Sequence, residues 1–185
     1  MTVTTPDGRS GESQTILETD RLVLRRMSLD DDAFIRTLLN EPSFLRYIGD
    51  RGVRTLDDAR RYIADGPLAS YERRGFGLYI VETKGDRAPI GICGLLKRDT
   101  LEHPDIGFAF LPRFWSRGYA YESASAVLSY GRDVLAIPCI LAITSPDNEA
   151  SIKLLTRLGF SYEGTRRLTE AAPEVKVFAI GAPTA

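Results

Sequence analysis

The sequence predicts one α/β (α+β) domain, built on a mixed, mostly antiparallel sheet with helices on both faces. Three observations carry that expectation. Strand-period and helix-period stretches follow in the order strand, two helices, three strands, helix, strand, helix, two strands. The three strands in the middle are joined by short segments with turn chemistry, which selects an antiparallel meander. The chain has 185 residues, enough to bury one substantial core and too few for two ordinary domains.

Residues 1–14, rich in Thr, Ser, Gly and Asp, have little to bury and read as a flexible N-terminal tail, with the domain proper at 15–182. Leu17 and Leu22 to Arg26 read as a first strand, with the polar Thr19-Asp20-Arg21 as a turn or bulge within it. Ser28 with Asp31 forms a capping signal, and Phe34 with Leu38 keeps helical spacing up to a stop before Pro42. Thr55 with Asp58 repeats the signal for a helix through Ala59, Tyr62 and Ile63, broken or kinked at Gly66-Pro67. The period then changes, and Phe76–Glu82, Pro89–Lys97 and Asp105–Leu111 read as the meander. Tyr119–Val134 is helical by its spaced apolar residues, Cys139–Thr144 is a buried central strand, and Asn148–Leu158 is a helix stopped by Gly159. Phe160–Thr169 and Val175–Ile180 close the sheet as a hairpin.

Bulk properties exclude several functions. Lys and Arg total 24 against 25 Asp and Glu, so no basic footprint exists for tracking a phosphate backbone, and nucleic acid is not an expected partner. Cys93 and Cys139 sit far apart inside apolar runs, which suits two buried reduced thiols better than a disulfide or a metal site. No segment has the length of a membrane span or the apolar run of a signal peptide, so a cytoplasmic location and no membrane partner are expected.

The chemistry concentrates where Phe110-Leu111-Pro112-Arg113-Phe114-Trp115-Ser116-Arg117-Gly118-Tyr119-Ala120 carries a strand end through a loop into a helix. First-turn N–H groups of a helix lack intrahelical partners and face the positive end of the dipole, so main-chain donors can hold a diphosphate there. Gly118 allows close approach, and Arg113 and Arg117 can add charge-assisted contacts at the rim. The plainer reading is a turn relieved by Gly118, with both arginines solvated. The segment lacks the Gly-Lys-Ser/Thr of a Walker loop and the three glycines of a dinucleotide fold, which removes nucleotide hydrolysis and hydride transfer.

Trp115-Ser116-Arg117-Gly118-Tyr119-Ala120 resembles the acetyl-CoA pyrophosphate loop of GNAT N-acetyltransferases, of the form Arg/Gln-x-x-Gly-x-Gly/Ala. Trp115 departs from the usual Arg or Gln, as the Rim-type ribosomal-protein subgroup often does with an aromatic before Gly-Tyr-Ala. The stretch from Asn148 through Ser151 to Leu158-Gly159-Phe160 resembles that subgroup's second signature. Leu17–Arg25 and Pro89–Gly94 resemble its opening and third strands, so the resemblance runs from Leu17 to Phe178. It implies a GNAT-like fold with acetyl-CoA as co-substrate and no metal. Main-chain groups of Phe110 and Leu111 would pair with the pantetheine arm, amides of Ser116, Arg117, Gly118, Tyr119 and Ala120 would hold the pyrophosphate, and Asn148 would bond the arm. Asn at a helix start is also a favoured N-cap, and both roles can hold at once.

Transfer to an amine needs that amine neutral. At pH 7 deprotonation costs about 1 kcal/mol for an α-amine and roughly 4–5 for lysine, so a weak base favours the former. Asp105, at the start of the strand leading to the loop, is the candidate base by its match to the family's acidic position, with Glu102 and His103 as alternatives. The family's usual Tyr acid falls on Leu155, which leaves Ser151 as the candidate proton donor. The acceptor is then a small-molecule or peptide amine, met by the Thr55–Tyr71 region and the C-terminal hairpin, in a monomer or homodimer. The competing readings are a non-catalytic acyl-CoA-binding module and a structural scaffold.

Overall fold

A computed structural model describes residues 14–181. The expected tail at 1–14 lies outside the described residues except for Gln14. Eight strands form one sheet: β1 (Thr15–Glu18), β2 (Leu22–Arg25), β3 (Leu78–Thr83), β4 (Pro89–Leu96), β5 (Asp105–Phe110), β6 (Cys139–Thr144), β7 (Ser161–Arg167) and β8 (Glu174–Gly181). Their spatial order is β1-β2-β3-β4-β5-β6-β8-β7, and every neighbouring pair is antiparallel except β5 with β6. The expected meander is β3-β4-β5, and Cys139–Thr144 is the internal strand the sequence predicts.

Alternation along the strands divides the core between the two faces. Leu22, Leu24, Tyr79, Val81 and Cys93 pack with Ala124 and Val127 of α5 (Tyr119–Asp133), on the face that also receives Leu155 of α6 (Glu149–Arg157). Leu78, Ile80 and Ile92 pack with Ile35 and Leu38 of α1 (Asp32–Leu39) and with Ala59 and Ile63 of α3 (Leu56–Ile63). Cys93 and Cys139 are both free and buried, and burial pushes the Cys93 thiol up to about 12.

Three local expectations are refined, with the turn at Thr19-Asp20-Arg21 and the stop of the first helix before Pro42 both present. The interrupted first strand is a β1–β2 hairpin, because Thr19 turns the chain by bonding Leu22 through both its N–H, at 3.0 Å, and its Oγ1. Pro42 opens a further helix, α2 (Pro42–Tyr47), at whose first position a missing N–H costs nothing. Gly66-Pro67 does not break the second helix. A π-helical turn at Ala64–Leu68 absorbs Pro67, and the helix continues as α4 (Ala69–Arg74) to a left-handed Gly75.

The helical layer is bolted to the sheet by buried charge. Arg25 on β2 meets Asp31 with two hydrogen bonds at 2.9 and 2.7 Å and Glu82 on β3 at 2.5 Å. These carboxylates hold the guanidinium above its ordinary range, against the opposing effect of burial.

Candidate active site

β5 and β6 run side by side but share one ladder bridge, Asp105 opposite Leu141, where the Leu141 N–H donates to the Pro104 carbonyl at 2.8 Å. Beyond that point they splay. The Leu111 N–H donates to Ile90 on β4 at 3.0 Å, so by antiparallel alternation Ala109 and Gly107 also face β4 while Phe108 and Phe110 turn their main-chain groups to the gap. Main-chain donors and acceptors at an open strand edge require partners. An extended, amide-bearing guest would supply them. The gap belongs to a cleft of about 1500 Å³ that reaches from Asp105 past Phe110 to the start of α5, with Asn148, Ser151 and Leu155 on its far side.

A 3-10 turn at Pro112–Phe114 leads from β5 into the loop before α5. Ser116 and Gly118 take left-handed conformations, with φ of 59° and 82°, and no side chain caps the helix. Successive N–H groups in such a turn at a helix start form a concave anion cradle. Trp115 ties it down, its indole Nε1–H donating to the Phe110 carbonyl at 2.8 Å. That bond gives the unusual aromatic a role, since it fixes the loop to the strand end.

Ser116, Arg117, Gly118, Tyr119 and Ala120 lie along this turn and the start of α5, with Arg113 and Arg117 exposed beside the Phe114 ring. Leu111 departs from this group. Its N–H is spent on Ile90, its carbonyl accepts the Phe114 N–H at 2.9 Å, and its side chain is buried on the α1–α3 face. Phe108 holds the gap-facing place instead, as strand alternation counted along β5 would have indicated.

Arg21, in the β1–β2 turn, was not singled out from sequence. Its Nη1 donates to the Arg117 carbonyl at 3.0 Å and its guanidinium lies 4.6 Å from the centre of the Tyr119 ring. Glu122 orients it, accepting from Arg21 Nε at 2.7 Å, Arg21 N at 2.9 Å and Thr19 Oγ1 at 2.6 Å. Burial pushes the Glu122 carboxyl upward, but these hydrogen bonds outweigh it and hold the group below its usual range. A Cβ on Gly118 would stand 3.3 Å from Arg21 Nη2.

At the closed end of the gap the Asp105 side chain is buried, with both carboxylate oxygens at 3.1 and 3.0 Å from Arg98 Nε. Burial raises its pKa, and Arg98 opposes the rise without cancelling it. Glu102 and His103 do not line the cleft, which separates them from Asp105. Asn148 caps α6, its Oδ1 accepting the Ser151 N–H at 3.1 Å. Ser151 Oγ bonds no described residue, whereas Thr37, Ser123 and Thr156 each bond the carbonyl four residues back.

With this geometry in place, residues 21–161 match the family model described as Acetyltransferase (GNAT) domain. The chain belongs to the GNAT acetyltransferase family. It is similar to the uncharacterized N-acetyltransferase YoaA of Bacillus subtilis (strain 168), at 34% identity over 82% of this chain and 86% of that protein. Spermidine N(1)-acetyltransferase of Escherichia coli (strain K12) is 27% identical over 76% of this chain and 73% of its own length. Among solved structures, RimL, a ribosomal L7/L12 α-N-protein acetyltransferase in complex with coenzyme A, superposes with a TM-score of 0.77 at 18% identity, covering 91% and 98% of the two chains. The GNAT fold is thus shared, and acetyl-CoA-dependent N-acetyl transfer is the activity that family membership carries.

The other wall of the cleft in this acetyltransferase comes from α2, the loop after it, Tyr62 on α3, the π turn and the β7–β8 loop at Leu168, Ala172 and Pro173. Tyr62 and the hairpin fall in the regions expected from the sequence to meet the acceptor, whereas α2 is a helix that the sequence does not announce. A strap joins the two walls at the mouth. Arg46 pairs with Asp147 at 3.0 Å, and Ser145 Oγ donates to the Tyr47 carbonyl at 3.4 Å. No helix among the described residues is long and apolar enough to cross a membrane.

Proposed function

We propose that acetyl-CoA lies in the gap between β5 and β6 with its diphosphate on the Ser116–Ala120 amides, and that Asp105 takes the proton of the attacking amine. The splay of two neighbouring strands beyond Asp105 and Leu141 is the observation that carries this reading. The gap offers the N–H and carbonyl of Phe108 and the N–H of Phe110, the Phe110 carbonyl being engaged by Trp115, and the amides of a pantetheine arm can meet groups at this spacing. The loop before α5 offers donors to an anion at the end of that gap.

Acetyl-CoA supplies the activated acetyl group. One gap-facing main-chain N–H of β5, that of Phe108 or that of Phe110, would stabilise charge developing on the thioester oxygen, and the other would pair with the arm. The amide of Asn148, whose Oδ1 is engaged in capping, keeps its Nδ2 donors for the arm. Burial raises the pKa of Asp105 against the pull of Arg98, which makes it a better base than an exposed aspartate. Ser151 Oγ stands ready to return a proton to the departing thiolate, which needs little help because thiols near pKa 8.5 leave readily. A cytoplasmic setting is supported by two free, buried thiols.

Gly118→Glu tests the assignment. The left-handed backbone, the contact with Arg21 and the added negative charge all act against an anion at this loop. Calorimetric titration with coenzyme A should show affinity falling by about 100-fold or more, equivalent to about 2.7 kcal/mol. Affinity within threefold of the parent protein would remove the phosphate-loop assignment.

A further inference from the structure

The acceptor end of the cleft carries guanidinium groups that the fold does not use up. Of the acids that line the cleft, Asp105 is bonded to Arg98, Asp147 to Arg46 and Glu149 to Lys153, while Glu41 and Asp65 form no ion pair with any described residue. Arg51, on the loop after α2, lines the cleft, is exposed and forms no ion pair with any described residue. Arg98 gives only its Nε edge to Asp105, so its two Nη groups bond no described residue and keep their hydrogens for a ligand. Lys97 is not equivalent to these, because its Nζ is spent on the carbonyls of Arg98 and Leu101. Arg51 and Arg98 line the cleft together with Tyr62, whose hydroxyl burial pushes upward and both guanidiniums pull back. Glu41 and Asp65 lie on the α2 and π-turn side, whereas beside Asp105 itself the cleft presents the free Nη edge of Arg98 in place of a second carboxylate.

We propose that the acceptor carries a carboxylate within a few bonds of its amine, and that Arg51 with the outer edge of Arg98 recognises that carboxylate. The proposal rests on the acetyl-transfer reading above and adds the substrate class. Arg98 serves two groups, since its Nε edge orients Asp105 and its Nη edge is left for the ligand. A molecule with its amine at Asp105 and its carboxylate at the Arg98 fork therefore needs the two groups near one another. Guanidinium forks match carboxylates in geometry as well as charge. A free amino acid and a peptide with an acidic residue at its N-terminus both supply this chemistry.

The test uses the acetyl-CoA-loaded protein and acceptor pairs that differ in the carboxylate: phenylalanine against phenethylamine, and an Asp-initiated peptide against its Asn-initiated twin. Spermidine serves as the cationic comparison, and turnover is read as free thiol. The carboxylated member of at least one pair should show a kcat/KM at least tenfold higher, and the pair that responds distinguishes amino acid from peptide. Arg51→Gln should reduce that ratio to threefold or less while the Kd for acetyl-CoA stays unchanged. Equal rates within both pairs, a preference for spermidine, or an undiminished ratio in Arg51→Gln would overturn the proposal. If acetyl-CoA binds and no amine is acetylated, the transfer reading fails separately. Titration of both carboxylated probes into the coenzyme A complex then decides, with equal affinity for the parent protein and Arg51→Gln counting against the anion site.

Discussion

The two walls of the cleft are built by different means. The β5–α5 wall is made of main chain: strand-edge groups, a left-handed Ser116 and Gly118, and an indole that ties the loop to the Phe110 carbonyl. The opposite wall is made of side chains on short helices and loops, fixed to the sheet by Arg25 at its base and held at its rim by exposed pairs such as Arg46 with Asp147. A wall of main chain constrains the ligand to one shape, while a wall of side chains can change its recognition by substitution without disturbing the fold. One fold can thereby keep its acyl donor and vary its acceptor.

The largest effect on that contrast should come from the bolt. Arg25 has 12% of its side chain exposed, and Asp31 and Glu82 have 8% and 6%. Arg25→Leu leaves two buried carboxylates without their main cation, although Ser28 N–H still serves Asp31 and Arg87 still serves Glu82. Removing one partner of a buried pair costs about 3–5 kcal/mol. Urea denaturation should show a loss near the low end of that range. A loss below about 1 kcal/mol would mean that the helical layer is held by its apolar contacts alone.

This contrast also decides what was legible in the sequence. The main-chain wall announces itself, because Gly118, the Trp115–Ala120 spacing and Asn148 are local features whose conformations follow from residue type. Leu111 was misplaced within it because its pairing depends on the β4 register, which no short window contains. Arg21 was missed because its partners, Arg117 and Glu122, lie about a hundred residues away. On the side-chain wall, Pro42 reads equally as the end of one helix or the start of the next, and the π turn around Pro67 depends on packing. The bond between Asp105 and Arg98 spans only the turn between β4 and β5, yet their side chains meet only once that turn is built.

A middle-sized effect is expected where the walls meet, at Asp105. Its protonated form accepts no proton, so kcat should fall as pH drops through its raised pKa. Asp105→Asn should remove that acid limb and lower kcat by about 100-fold, within the range for general-base catalysis, while leaving acetyl-CoA affinity unchanged. Arg98→Gln removes the downward pull on Asp105, so the limb should move to higher pH. One acceptor is used throughout, which makes any displacement between variants a property of the protein. A limb that stays in place in both variants would assign the proton transfer to another group.

The smallest effect on stability should appear at the strap, and it separates rim from base most finely. Arg46 and Asp147 have 64% and 60% of their side chains exposed, so water screens their attraction, and breaking it should cost less than about 1 kcal/mol. Arg46→Ala should therefore unfold with the parent protein in urea and bind acetyl-CoA with the same Kd. Its KM for the acceptor should rise a few-fold, because α2 loses its tether to the turn before α6. Asp147→Ala should match it, and the double variant should add nothing, since either substitution breaks the same bond. Additive changes in KM would mean that each residue meets the acceptor by itself, and the rim would then be a recognition surface in place of a tether.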